Sequence, residues 1–168
     1  DLISVLIFVA PLMMGCFDLW AISIFAISCI IGIIIKAKQN KKIILPKDFK
    51  FVLLCIYVFS FLVVQFYAVD KGMNLIGFLK NFTIIIFVLL CMQYDKKSKQ
   101  RAIQKIPYSA IISLVISTCF ISVGNVFLNN RLHGIFLYAN AYAMFLLLGI
   151  IILLLKDKVK IKDFIIAV

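Results

Sequence analysis

Apolar residues in this chain fall into long runs separated by short polar stretches, and the runs have the length of membrane spans. A helix rises ~1.5 Å per residue, so about 20 apolar residues cross ~30 Å of hydrocarbon. The first block, Leu2 to Ile35, exceeds one span and is broken near Gly15, Asp18 and Trp20. It predicts two helices, Leu2–Phe17 and Leu19–Ile35, the first of them short and kinked at Pro11. Further spans are predicted at Phe51–Val69, Leu75–Tyr94, Tyr108–Leu128 and Gly134–Leu155, with Pro107 suited to the start of the fifth. Asp70 and Lys71 make a very short turn between the third and fourth. Phe164–Val168 reads as the first turn of a seventh. The expected fold class is therefore all-α: a polytopic integral membrane helix bundle of about six full transmembrane helices plus the start of a seventh. Residues 1–168 are read as one transmembrane domain, the N-terminal part of a longer membrane protein, because the first span is short and the last breaks off.

Composition agrees with this reading. The chain is 65% hydrophobic with a mean hydropathy of +1.15, well above the apolar share of a soluble domain. Only 15% of residues are charged, and the 7 acidic ones are all aspartates. The net charge of +11 would suggest nucleic acid in a soluble protein. Here the cations sit in short stretches between apolar runs, so no nucleic-acid partner is expected and the bilayer itself is the first partner. One basic stretch holds Lys36, Lys38, Lys41, Lys42, Lys47 and Lys50. A second holds Lys96, Lys97, Lys99, Arg101 and Lys105, and a third Lys156, Lys158, Lys160 and Lys162. Of the 18 basic residues, those outside these three stretches are Lys71, Lys80 and Arg131. Loops on alternate sides thus differ sharply in charge. The positive-inside bias assigns the three basic loops, and the start of the chain, to the cytoplasm. The turns at Asp18, Asp70 and Arg131 then face outward. Cys16, Cys29, Cys55, Cys91 and Cys119 each lie in an apolar run and read as small buried hydrophobes. No cluster has metal-ligand spacing, and no P-loop or dinucleotide fingerprint is present, so neither a metal nor a cofactor is expected.

The polar stretch from Asn129 to Ala143 stands apart from the rest. It contains the sole histidine, His133, next but one to Arg131, then Gly134, Asn140 and Tyr142 running into an apolar helix. Arg131 on the outer face can serve simply as a helix-turn or headgroup contact. It can also form an anion site, since its planar fork matches phosphate oxygens bidentately. Gly134 would let the backbone approach a ligand, with the first N–H groups of the sixth helix favouring negative charge. His133 is a candidate proton donor or acceptor, or a structural polar residue. Asn140 and Tyr142 are candidates for hydrogen bonds between helices. Asn140, expected about two turns below Gly134, can alternatively line the same cavity. Lys80, inside the fourth span, either snorkels to the outer surface or adds a second cation to the site. Asp18 and Asp70, on the same side, are candidate acid/base groups or simple loop residues.

Arg131-Leu132-His133-Gly134-Ile135-Phe136, followed by Asn140 and Ala143, resembles a signature of the O-antigen ligase and polymerase family of polytopic membrane glycosyltransferases. In that family the pattern reads roughly Arg-x-x-Gly-x-Phe, then Asn-Pro-Asn, then Ala in the following helix. The chain departs from it at the first Asn-Pro pair, where Tyr138 and Ala139 stand. The resemblance implies transfer of a glycan from a polyprenyl-diphosphate carrier to an acceptor glycan or glycolipid on the outer face of the cytoplasmic membrane. It implies that Arg131 holds the diphosphate, with Lys80, Gly134 and Asn140 as helpers. It further implies a large outer loop beyond residue 168 that carries other functional residues. The alternatives are a multi-span transporter or glycolipid flippase, in which Arg131 and Lys80 would line a transport path, and a structural membrane protein.

Overall fold

The computed structural model describes residues 1–13, 18–119, 127–128, 131–136 and 138–155, with backbone alone at Phe127, Leu128, Arg131, Leu132 and Ile135. The described chain is helical apart from one short hairpin and the connecting turns. Its α-helices are, in order, α1 (Leu2–Val9), α2 (Leu19–Asn40), α3 (Phe49–Val64), α4 (Lys71–Met92), α5 (Lys96–Ile103), α6 (Ile106–Cys119) and α7 (Ala139–Leu154). Between α6 and α7 lies the hairpin of β1 (Phe127–Leu128) and β2 (Arg131–Leu132), then a 3-10 turn at Gly134–Phe136. The helices group into two compact units. Residues 1–17 and 96–168 form one, and residues 18–95 the other.

Among the described residues, three helical stretches, Leu19–Asn40, Lys71–Met92 and Lys96–Cys119, are long and apolar enough to cross a membrane by length and composition. Leu2–Leu12, Phe49–Val64 and Ala139–Leu154 are apolar but shorter. A 16-residue helix such as α3 or α7 spans about 24 Å, against ~30 Å of hydrocarbon. Boundaries differ from the sequence expectation for local reasons. Pro11 ends α1 rather than kinking it: the chain tightens into a 3-10 turn at Ala10–Leu12. Residues 14–17, the rest of the expected first span, lie outside the described residues. So do residues 156–168, which hold the third basic stretch and the expected seventh span. The helix of α2 runs on through Lys36 and Lys38 to Lys41, which closes it in the left-handed conformation (φ 53°). The second basic stretch is not a loop but contains α5, whose buried face is Ser98 and Ala102.

In the unit of residues 18–95, α4 packs against both α2 and α3. Asp70 caps α4 by accepting from the Met73 N–H at 2.9 Å, so the predicted turn residue starts the helix. Asn74 Nδ2 donates to the Phe61 carbonyl (2.9 Å) and to Gln65 Oε1 (2.6 Å), and Gln65 Nε2 donates to the Lys71 carbonyl (3.1 Å). These bonds close the α3–α4 turn. At the other end, Gln93 is buried and clamps the segment before α3, accepting from the Ile44 N–H (3.0 Å) and donating to the Ile44 carbonyl (2.8 Å).

In the other unit, α1 packs on α5 and α6, and α6 packs on α7. The buried face of α6 is made of Pro107, Ser109, Ala110, Ser113 and Ser117, at helical spacing. Ser109 Oγ donates to the Phe8 carbonyl at 2.8 Å, near the point where α1 gives way to the 3-10 turn. A Cβ added at Gly149 of α7 would lie 3.0 Å from Ala110 Cβ, so these backbones run close. Meanwhile, large apolar side chains such as Ile27, Ile31, Ile56, Val63, Leu147 and Leu154 are exposed. Small groups at the α6–α7 contact and many large apolar groups left exposed are compatible with apolar surroundings, although Ile3, Val58, Leu90 and Tyr142 are fully buried. Of the four described cysteines only Cys29 is buried, Cys55 and Cys91 are half-buried and Cys119 is exposed, so the expectation of uniformly buried cysteines is corrected. Cys16 lies outside the described residues.

Gly149→Leu is expected to separate α6 from α7 and lower the melting temperature in detergent. Leu147→Ala, on the outward face of the same helix, should shift it little and serves as the control. Asn74→Ala should destabilise by about 1–3 kcal/mol through the unpaired acceptors it leaves, read by the same melt.

Candidate functional site

Arg131, His133, Gly134 and Asn140 all lie within one unit, Arg131 to Gly134 in the segment that joins α6 to α7 and Asn140 at the start of α7. The hairpin pairs Phe127 with Leu132 and Leu128 with Arg131 in antiparallel register. Arg131 therefore sits beside the hairpin turn, at a backbone position fixed by pairing. The Arg131 side chain lies outside the described residues, as do Asn129 and Asn130. The structure differs here from the sequence expectation, which ran α6 on to Leu128 as helix. Phe127 and Leu128 are extended instead.

Gly134 follows with φ +56°, in the left-handed region that a residue with a Cβ enters at a penalty of roughly 1–2 kcal/mol. Its Cα is also covered. A Cβ there would lie 2.7 Å from Cε1 and 2.8 Å from Cδ1 of Tyr142. Gly134 is thus required for close packing of a tyrosine ring, and on that face the backbone is not open to a ligand. Phe136 completes the contact, with its ring centroid 5.6 Å from that of Tyr142 and 5.2 Å from that of Phe145. The aromatic cluster ties the turn after the hairpin to the first two turns of α7.

The sixth predicted span starts at Gly134, whereas α7 starts at Ala139, after an extended Tyr138 (φ −144°, ψ 109°). Gly134 is therefore not at the helix N-terminus. Asn140 is not two turns below it but in the first turn of α7, where its side chain is exposed. The N–H groups of that first turn have no acceptor within the helix. His133 is half-buried between β2 and the 3-10 turn.

Lys80 belongs to the other unit. Because α4 begins at Lys71, Lys80 lies about 13 Å along the helix, deeper than the sequence boundary implied. It is half-buried. Among the described residues, no group of three or more His, Cys, Asp or Glu side chains is arranged to hold a metal ion.

Two buried hydroxyls emerge from the structure. Tyr142, expected to hydrogen-bond between helices, is 1% exposed, and its Oη has no partner among the described residues; the Oγ of Ser117 on α6 is likewise buried and unpartnered there. A serine in an apolar run carries no sequence signal that would have singled out Ser117. No family model, curated protein or solved structure matches this chain.

Gly134→Ala is expected to lower stability by at least about 1–2 kcal/mol, from the left-handed backbone before any clash with Tyr142 is counted. Tyr142→Phe keeps the ring and removes an unsatisfied buried hydroxyl, so it should leave stability unchanged or raise it by about 1 kcal/mol. Thermal melts of both variants in one detergent provide the check.

Proposed function

We propose that this chain is the N-terminal part of a polytopic membrane glycosyltransferase of the O-antigen ligase or polysaccharide polymerase type. In this reading about six helices cross the bacterial cytoplasmic membrane, shorter ones included, with the basic stretches cytoplasmic and the Arg131 hairpin outside. The observation that carries the reading is the Arg131-x-x-Gly134-x-Phe136 pattern, set on a hairpin that Gly134 and Phe136 anchor to Tyr142 of α7.

The donor is a glycan on a polyprenyl diphosphate. Its leaving group already carries the negative charge that must be held as the bond to the sugar breaks. Arg131 supplies a bidentate cationic partner for that diphosphate. The N–H groups in the first turn of α7 and the exposed Asn140 amide are further candidate donors within the same unit. His133 is the nearby candidate for moving the acceptor hydroxyl's proton. The acceptor is a glycan or glycolipid. A transport reading draws on a different observation, the half-buried Lys80 well inside α4, where a charge is unfavourable unless used.

Arg131→Ala and Arg131→Lys should both reduce glycan assembly in cells at least about tenfold, since a lysine cannot reproduce a bidentate contact worth ~1.5–3 kcal/mol. Immunoblots for glycan and for membrane-embedded protein read the outcome. Full assembly by both variants at normal protein abundance overturns the diphosphate role. If Lys80→Ala abolishes activity while both Arg131 variants retain it, the transport reading takes its place.

A further inference from the structure

The second basic stretch is explained only in part by orientation of the chain. It contains a short helix, α5, with one buried and one strongly cationic face. Ser98 and Ala102 are buried, while Lys96, Lys97, Arg101 and, just past the helix, Lys105 are exposed. Beside it, within the same unit, lies an open groove of about 540 Å³ lined by Asp1, Ser4, Val5, Phe8, Lys105 and Tyr108. Most of its wall is hydrocarbon. Val5 is 55% exposed and Tyr108 38%, so apolar surface is available along it. At its rim Lys105 Nζ stands 5.9 Å from the centre of the Tyr108 ring. The Asp1 carboxylate lies 3.6 Å from Arg101 and offsets one cation, leaving an excess of positive charge.

We propose that this groove binds an anionic phospholipid, with the headgroup phosphate at Lys105 and an acyl chain against Val5, Phe8 and Tyr108. The chemistry selects an amphiphile. A soluble phosphate would use the cations but leave the apolar wall uncovered, and a neutral lipid would use the wall but not the cations. Clusters of lysine and arginine next to a membrane helix attract anionic headgroups by about 1 kcal/mol per cation. The assignment of this groove to the inner leaflet rests on the topology proposed above.

The test is photolabelling of the chain reconstituted in phosphatidylcholine vesicles that contain a minor fraction of phosphatidylglycerol with a diazirine on its acyl chain. Mass spectrometry maps the labelled residues. Preferential labelling at Val5, Phe8 or Tyr108, reduced about fivefold by Lys105→Gln, supports the site. Lys105→Arg should restore labelling, and Lys38→Gln, which removes an equal charge from α2, should leave it unchanged. Equal labelling of the groove by a diazirine phosphatidylcholine overturns the proposal, as does insensitivity to Lys105→Gln or an equal loss with Lys38→Gln. Displacement of the label by soluble glycerol phosphate would mean that the phosphate alone is recognised, and also overturns it. Flotation with the vesicles after alkaline extraction separates the two readings. A chain that fails to float removes the membrane topology and this site together, whereas one that floats but labels without headgroup preference removes this site alone.

Discussion

Close approach of helices through small side chains is the constraint on which the rest of the structure depends. Many large apolar residues of α2, α3 and α7 face outward while a few, such as Val58, Tyr142 and Leu153, are buried, so apolar burial accounts for only part of what holds the helices together. Water would drive such groups inward, so their exposure is compatible with apolar surroundings, which would exert no such force. What remains is short-range packing and hydrogen bonding. Gly149 against Ala110 sets the α6–α7 contact, and the serines of α6 supply a face that a neighbouring backbone can approach. Side-chain amides fix the chain where helices turn, at Asn74, Gln65 and Gln93.

The Arg131 segment is positioned by the same kind of contact. A glycine with left-handed backbone sits under a tyrosine ring, and a phenylalanine two residues on packs tilted against that ring. The chain can then reverse through a hairpin and rejoin α7 at Ala139. Two parts of the family-like pattern, Gly134 and Phe136, thus have a structural role, packing against Tyr142 and so holding the backbone that carries Arg131.

Charge is organised separately from packing. The basic stretches orient the chain in the proposed topology, yet they are not uniform loops. The first is partly helical through α2 and strapped by Gln93; the second contains α5, which packs on α1. A basic segment folded against an apolar groove has a different chemistry from a flexible basic loop, because its cations are held beside hydrocarbon.

The sequence by itself determined the helical class, the approximate position of each apolar run, the alternation of basic stretches and the polar cluster around Arg131. These follow from composition and local spacing, which act over a few residues. Pro107 does stand in the first turn of α6, and the chain does reverse between β1 and β2, because proline and polar turn residues act locally. Only the tertiary structure decided where helices stop. Pro11 ends α1, Phe127 and Leu128 are extended and pair with β2, and α7 waits until Ala139. Hydropathy is blind to these points, since an apolar residue suits a helix, a strand or a packed turn equally well. The role of Gly134 was also undecidable from spacing: a glycine can admit a ligand or a neighbouring ring, and the Tyr142 ring occupies that space. Contacts between residues distant along the chain, such as Ser109 with Phe8, have no local signature at all.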